Sequence, residues 1–123
     1  MVADIDGFKQ INDRHSHLTG DAVLRQLGNV IRANLRDTDF AARLGGDEFA
    51  LLLADSEGGA AMAVVERLID AVRKFSWAEF DSALHVTVSI GLCESSDFGD
   101  SSELVRRADE SLYAAKHAGR DRV

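Results

Sequence analysis

Two short apolar runs meet at a glycine pair in residues 39–53, which have the sequence DFAARLGGDEFALLL. Glycine adopts positive φ angles without steric cost, so Gly45 and Gly46 predict a tight turn between two strands. The turn is followed by two adjacent carboxylates, Asp47 and Glu48, which repel each other without an evident gain in stability. A divalent cation would remove that repulsion. The alternative interpretation is an ordinary solvated acidic turn.

Hydrophobic periodicity predicts the element order β-α-α-β-β-α-β-α in a single α+β domain over residues 1–123. The predicted strands span residues 1–5, 39–44, 48–53 and 83–93, and the predicted helices span residues 8–14, 21–36, 58–74 and 101–117. Asp21 is expected to cap the second helix, and Asp100 or Ser101 the last. The order favours a ferredoxin-like, palm-type architecture, with a mixed, mostly antiparallel sheet flanked by helices that we expect on one side.

Composition narrows the classes of function. The chain has 123 residues, 46% hydrophobic and 28% charged, which is typical of one globular domain. Its net charge of −7 has the wrong sign for a general nucleic-acid coat, so no nucleic-acid partner is predicted. No apolar stretch approaches the roughly 18 residues that cross a bilayer, so we expect no membrane contact. The single cysteine, Cys93, excludes an intrachain disulfide and favours a reducing compartment.

A second acidic segment, DIDGFK at residues 4–9, runs from the first strand into a helix. The carboxylate of Asp4 suits a hard cation, the backbone amides of residues 7–9 can bind phosphate oxygens, and Lys9 adds a positive charge. Alone, the segment is more often an ordinary acidic turn. If Asp4 and the hairpin lie on neighbouring strands, however, their carboxylates converge on one or two metal ions, as in two-metal nucleotidyl transfer.

Together these motifs resemble the GGDEF family of diguanylate cyclases. The pentapeptide that names the family is complete at residues 45–49. Further matches follow in the family's order at Asp4-Ile5-Asp6, Phe8-Lys9, Ile11-Asn12-Asp13, His17, Gly20-Asp21, Arg43, Val88-Ser89-Ile90-Gly91, Ala108-Asp109, Leu112-Tyr113, Ala115-Lys116 and Gly119-Arg120. The resemblance covers essentially the whole chain. It implies a nucleotidyl cyclase-like fold and the condensation of two GTP molecules into cyclic di-GMP with release of pyrophosphate.

The resemblance also implies a metal site and catalytic residues. Mg²⁺, or alternatively Mn²⁺, would be held by the carboxylates of Asp4, Asp47 and Glu48. The carbonyl oxygen of Ile5 would add a further ligand. Asp47 would assist deprotonation of the attacking ribose 3′-hydroxyl, and Glu48 is a second candidate for metal or acid–base work. Lys9 would neutralise charge on the reacting phosphates.

The substrate-binding residues implied by the resemblance come from both ends of the chain. They are Phe8, Lys9, Asn12, His17, Asp21, Lys116 and Arg120. Asn12 and Asp21 would recognise guanine, because a carboxylate can accept from the N1 and N2 donors that adenine lacks. Lys116 and Arg120 would join Lys9 on the triphosphate. One departure from the family is Asp121, which replaces the usual asparagine and brings a negative charge close to Arg120.

An Arg-x-x-Asp motif, Arg36 to Asp39, precedes the hairpin. By composition alone it is a surface ion pair worth under about 1 kcal/mol. At this place in the family, such a motif forms an inhibitory product site, in which the planar guanidinium grips guanine or phosphate of cyclic di-GMP.

Three functions stay open at this point. The first is a Mg²⁺-dependent diguanylate cyclase that acts as a homodimer, because two GTP molecules facing each other match a two-fold arrangement of domains. The second is a non-catalytic sensor that binds GTP or cyclic di-GMP, and the third is a nucleotidyl transferase with another substrate. The resemblance also implies a bacterial cytoplasmic location and a sensory or receiver domain upstream. Since Met1 already falls in the first strand, we expect a truncated domain that lacks the family's usual N-terminal turn and first helix.

Overall fold

The computed structural model describes residues 1–54, 56, 59–94 and 100–123. The elements in this part of the chain follow the predicted order, with one short 3₁₀ helix added at Trp77–Glu79. The strands are β1 (Val2–Ile5), β2 (Phe40–Gly45), β3 (Glu48–Leu52) and β4 (Val88–Gly91). The helices are α1 (Phe8–Arg14), α2 (His17–Asn34), α3 (Gly59–Lys74) and α4 (Ser101–His117). The predicted start of the third helix, at Gly58, lies outside the described residues.

The four strands form one sheet in the order β2-β3-β1-β4, and each neighbouring pair is antiparallel. The short strand β1 is therefore central. Its register places Asp4 opposite Glu48 of β3 on one side and opposite Ser89 of β4 on the other. The predicted α+β class is confirmed, and the sheet brings the two acidic segments onto adjacent strands.

Helices cover both faces of this sheet. Ala3 and Ile5 belong to the main core, to which α2 and α3 contribute most of the helical side chains. Successive side chains of a strand point to opposite faces, and Val2 accordingly packs against Ala108 and Leu112 of α4. The prediction that the helices lie on one side is wrong, because α4 occupies the other face. Every residue of β1 is consequently buried.

A glycine in β4 sets how closely α4 approaches the sheet. A Cβ atom at Gly91 would lie 1.9 Å from the carbonyl oxygen of Ala108 and 2.5 Å from the amide nitrogen of Leu112. Only glycine therefore fits this contact with the helix backbone. Ala108, Leu112 and Lys116 follow each other at four-residue steps on the same face of α4. The close approach thus brings Lys116 to the central strand.

Two predicted boundaries differ from the structure by more than two residues. The second helix begins at His17, because Ser16 caps it by accepting a hydrogen bond from the amide of Thr19 at 3.1 Å. Asp21 therefore lies inside α2, and the prediction that it caps the helix is wrong. The last strand pairs only over Val88–Gly91, since β1 ends at Ile5, and one further backbone bond joins the amide of Asp6 to the carbonyl oxygen of Thr87 at 3.0 Å. The cap of α4 at Asp100 is confirmed.

Candidate functional site

The acidic hairpin turn lies beside the end of β1. The amide of Ile5 donates to the carbonyl oxygen of Asp47 at 3.4 Å, and Asp4 pairs opposite Glu48. The condition set by the sequence, that Asp4 and the hairpin occupy neighbouring strands, is therefore met. Asp47 is half-buried and Glu48 is exposed, so both carboxylates remain accessible to a ligand in solution.

Arg43 holds the turn in place. Its Nε and Nη2 atoms donate to the carbonyl oxygen of Gly46 at 3.0 and 2.8 Å. Gly46 itself has a φ of 55°, which is left-handed and favours glycine. Both contacts fix the backbone directly before Asp47. The sequence identified Arg43 only as a family match, because nothing in the residue pattern predicts a guanidinium bound to this carbonyl.

Asp4 is a buried carboxylate with a cation beside it. Its side chain is only 8% exposed, and Lys116 Nζ lies 2.9 Å from Asp4 Oδ2. Burial raises the pKa of Asp4 and the nearby charges of Asp47 and Glu48 raise it further, against the hydrogen bond from Lys116, which lowers it. The net effect is a raised pKa, which another cation near this carboxylate would oppose.

The donor chemistry at this point fits a hard divalent cation. Carboxylate oxygens of Asp4, Asp47 and Glu48 and a main-chain carbonyl of β1 are the oxygen ligands that Mg²⁺ prefers. Within residues 1–54, 56, 59–94 and 100–123, no three acidic, histidine or cysteine side chains are already gathered around one point. The structure places Asp4 on the strand next to the acidic hairpin, where the charges of Asp47 and Glu48 act on the Asp4 carboxylate.

The crossing of α1 and α2 brings together residues predicted to contact guanine. A Cβ atom at Gly20 would lie 1.8 Å from Asn12 Oδ1 and 3.2 Å from Phe8 Cζ, so the absence of a side chain at Gly20 makes room for both. Asp21 is the next residue of α2 and is exposed. It lines a neighbouring cavity of about 430 Å³. His17 is exposed at the first residue of α2.

Basic residues line this cavity and a second one beside it. The two cavities, of about 430 and 460 Å³, share Gly28, Arg32, Arg43 and Phe49. Asp21 and Arg25 line the first, whereas Arg36 and Asp39 line the second. Together they form a groove between α2 and the β2–β3 hairpin, with the predicted guanine-binding carboxylate at one end and the Arg-x-x-Asp motif at the other.

The Arg-x-x-Asp motif is organised through its backbone. Asp39 Oδ2 accepts from the amide of Arg36 at 2.9 Å, and Asp39 Oδ1 accepts from the amide of Ala54 at 3.2 Å. The amide of Asp39 donates a hydrogen bond to the carbonyl oxygen of Arg36 at 3.0 Å. The carboxylate thus fixes the loop instead of neutralising the exposed Arg36 guanidinium.

The C-terminal loop, defined as Gly119–Arg122, lies against the end of β1. The amide of Asp121 donates to Asp6 Oδ2 at 3.0 Å. The same carboxylate accepts from the hydroxyls of Thr87 and Ser89, each at 2.7 Å. Asp6 therefore joins the first strand, β4 and the loop that carries Arg120. The sequence missed this role, for which the signal was a second aspartate two residues after Asp4.

The sequence of the whole chain matches one family model. The model for the diguanylate cyclase GGDEF domain covers residues 1–122. The chain belongs to this GGDEF family. The predicted family is confirmed, and its diguanylate cyclases depend on a divalent metal. No helix in the described part of the chain is long and apolar enough to cross a membrane.

Individual relatives agree with this membership. Diguanylate cyclase A of Treponema denticola is 40% identical over 124 residues, which cover 100% of this chain and 33% of that protein. The crystal structure of the diguanylate cyclase SiaD from Pseudomonas aeruginosa, in complex with its activator SiaC, superposes with a TM-score of 0.92 at 40% identity. That match covers 98% of this chain and 46% of the SiaD chain.

A third relative was solved with a nucleotide. The GGDEF domain of DgcB from Caulobacter crescentus, in complex with c-di-GMP, superposes with a TM-score of 0.87 at 35% identity. The match covers 99% of this chain and 73% of the DgcB chain. The present chain thus spans a third of the length of the curated Treponema relative and about half of the SiaD chain.

Proposed function

We propose that this chain is the catalytic domain of a diguanylate cyclase. Two GTP molecules would react through attack of each 3′-oxygen on the α-phosphorus of the other nucleotide. The two new phosphodiester bonds close the ring of cyclic di-GMP, and two pyrophosphates leave. The observation that carries the proposal is the pairing of the buried Asp4 with the acidic hairpin across β1 and β3.

The metal site would use oxygen ligands from both strands. The carboxylates of Asp4, Asp47 and Glu48 and the carbonyl oxygen of Ile5 would hold Mg²⁺, or alternatively Mn²⁺. When bound, the ion supplies positive charge that lowers the pKa of the 3′-hydroxyl and stabilises charge on the phosphates. The raised pKa of Asp4 supports this assignment, because a cation beside this buried carboxylate would lower the pKa again.

The chain's own side chains would move the proton and balance the charge. Asp47 would assist removal of the 3′-hydroxyl proton, with Glu48 as a second candidate. Lys9, Lys116 and Arg120 would neutralise the triphosphate as charge develops on it. The position of Lys116, 2.9 Å from Asp4, supports this role, because it places an ammonium group next to the predicted metal ligand.

The guanine site would lie where α1 and α2 cross. Phe8 and Asn12 pack against the space left by Gly20, and Asp21 follows on the exposed side of α2. We propose that Asn12 and Asp21 bind the base and that His17 is a weaker substrate contact. A polar pair of this kind discriminates strongly, since a base without matching donors leaves it unpaired.

Regulation and assembly follow from the same proposal. Arg36 and Asp39 would form an inhibitory site for cyclic di-GMP, and the ordered backbone around Asp39 supports a preformed site. Because each domain offers one GTP site, the active species would be a homodimer with the substrates at its interface. A sensory or receiver domain upstream and a location in the bacterial cytoplasm complete the proposal.

The deciding experiment is product analysis. The purified chain is incubated with GTP and Mg²⁺, and the nucleotides are separated by chromatography. Cyclic di-GMP as the main product is the expected result. Tight GTP binding without turnover would instead identify a sensor module, and linear or adenine-containing products from mixed nucleotides would identify another nucleotidyl transferase.

A further inference from the structure

The C-terminal loop holds two successive residues in a backbone conformation that side chains rarely adopt. Arg120 has a φ of 63° and Asp121 a φ of 52°, both in the left-handed region. Non-glycine residues stay in this region only where the surrounding structure imposes it. Contacts from other elements must therefore hold the loop that carries Arg120.

One such contact comes from α3. Arg73 Nε donates to both carboxylate oxygens of Asp121, at 2.9 and 2.8 Å, and Arg73 Nη2 donates to the carbonyl oxygen of Asp121 at 2.8 Å. Isolated surface ion pairs fix little. This contact differs because a planar guanidinium binds the side chain and the main chain of the same residue, so it fixes the Asp121 side chain together with the peptide group that follows Asp121.

A second contact comes from the end of β1, beside a backbone bond from the amide of Ile90 in β4 to the carbonyl oxygen of Arg122 at 2.9 Å. The Asp6 carboxylate accepts a hydrogen bond from the amide of Asp121, and it also accepts hydrogen bonds from the hydroxyls of Thr87 and Ser89. Asp121 is thus bound from both sides, by Arg73 through its carboxylate and carbonyl and by Asp6 through its amide. Asp6 directly precedes the segment 7–9 that is predicted to contact phosphate, so the loop's backbone is fixed next to that segment.

We propose that Arg73 is a positioning residue for Arg120 and acts through Asp121. It would hold the left-handed loop so that the Arg120 guanidinium faces the triphosphate. It would also neutralise the Asp121 carboxylate, which would otherwise compete with phosphate for Arg120. This inference rests on the proposed function, since it takes Arg120 as a ligand of the GTP phosphates.

The loop itself is tested without substrate by amide hydrogen exchange. Arg73→Ala should speed exchange of the Asp121 amide by about tenfold or more while leaving the Leu112 amide of α4 unchanged. The matched control is Lys74→Ala, which changes the next residue of α3, whose ammonium lies 3.4 Å from Asp70. Lys74→Ala should alter neither amide. An Asp121 amide that exchanges at the parental rate in Arg73→Ala would overturn the inference.

The link to Arg120 is tested by a double-mutant cycle with GTP and Mg²⁺. Arg73→Ala should raise KM for GTP about five- to tenfold in the parent background, and less than about twofold when Arg120→Ala is already present. Asp121→Asn should stay within about threefold of the parent, because asparagine tolerates left-handed backbone and keeps an acceptor for Arg73.

The outcomes separate the inference from the proposed function. Equal effects of Arg73→Ala in both backgrounds would show a general structural role and overturn the inference while the parent still binds and converts GTP. A parent chain that neither binds nor converts GTP would overturn the proposed function and the role of the loop with it.

Discussion

The hairpin turn at residues 45–47 and the C-terminal loop at residues 119–122 both bend the chain through left-handed backbone, by different means. In the turn, glycine supplies the conformation, and Gly46 is held by Arg43 from only three residues away. In the C-terminal loop, two residues with side chains take up the conformation under contacts that are distant in sequence.

The difference shows which parts of a site can be found by local reasoning. A turn built from glycines is visible in the sequence, because the residue type itself permits the backbone. A loop held by Arg73 and Asp6, 48 and 115 residues away from Asp121, has no such local signal. We therefore expect substitutions in the turn to act locally and substitutions near the loop to act through packing.

The largest expected effect comes from a substitution that disrupts the packing of α4, the helix before the C-terminal loop, against β4. Gly91→Ala would place a Cβ atom 1.9 Å from the Ala108 carbonyl oxygen, so α4 must shift away from β4. We expect a loss of about 2–4 kcal/mol in unfolding free energy, measured by urea denaturation. Gly28→Ala is the control, since nothing lies within 4 Å of its added Cβ and helix propensity favours alanine. An unchanged stability of Gly91→Ala would contradict the packing described for α4.

The next effect concerns base selection at the α1–α2 crossing. Asp21→Ala should weaken GTP binding about tenfold or more and lower the ratio of GTP to ATP affinity. The melting temperature should change little, because Ser16 and not Asp21 caps α2. Calorimetric titration with both nucleotides and thermal unfolding measure the two effects. A lower melting temperature with an unchanged affinity ratio would return Asp21 to a structural role.

A smaller effect tests the glycine of the turn. Gly46→Ala meets no atom within 4 Å but must hold a left-handed φ of 55°. The strain should cost about 1–2 kcal/mol of unfolding free energy. Asp121→Gly removes the same kind of strain from the C-terminal loop but also the contacts of the carboxylate with Arg73, so we expect no comparable gain there. If Gly46→Ala were as stable as the parent, the contrast between the two bends would fail.

Local signals explain what the sequence predicted well. The bounds of α4 and its cap at Asp100 follow from capping chemistry and helical spacing, and the hairpin follows from its glycine pair. One failure was local, since Ser16 and not Asp21 caps α2. The other failures depended on distant partners. Pairing of the last strand is limited by the short β1, and the face chosen by α4 depends on its contact with Gly91.

The candidate site divides in the same way. From the sequence, a shared site for Asp4 and the acidic turn depended on the condition that they lie on neighbouring strands, and the pairing of β1 with β3 meets that condition. The Asp4–Lys116 pair and the contact of Arg73 with Asp121 depend on tertiary packing that spacing does not encode. The bond from Arg43 to the Gly46 carbonyl oxygen is local, but it depends on turn geometry that the residue pattern does not show. The catalytic, metal-binding and inhibitory roles of the individual residues stay predictions.

The smallest expected effect concerns the pH dependence of stability. The pKa of Asp4 is raised in the folded protein, so the folded state binds this proton more tightly than the unfolded chain. This tighter proton binding adds to the free energy of unfolding at acid pH, and the contribution is lost as the pH rises through the raised pKa of Asp4. Uncharged Asp4→Asn should therefore melt about 2–4 °C higher than the parent at neutral pH in metal-free buffer.

The same difference should disappear at about pH 3, where the parental carboxyl is largely protonated in both states. Asp13→Asn, at an exposed position of α1, is the control and should follow the parent at both pH values. A lower melting temperature of Asp4→Asn at neutral pH would mean that the ion pair with Lys116 outweighs burial.

We propose the acidic turn beside Asp4 as the catalytic site. The most direct test is cyclic di-GMP formation by Asp47→Ala, with GTP and Mg²⁺, next to the parent and the exposed-helix control Glu66→Ala. We expect Asp47→Ala to lose at least about 100-fold in turnover while keeping the parental circular dichroism spectrum, and Glu66→Ala to match the parent. Near-parental turnover by a folded Asp47→Ala would contradict the claim.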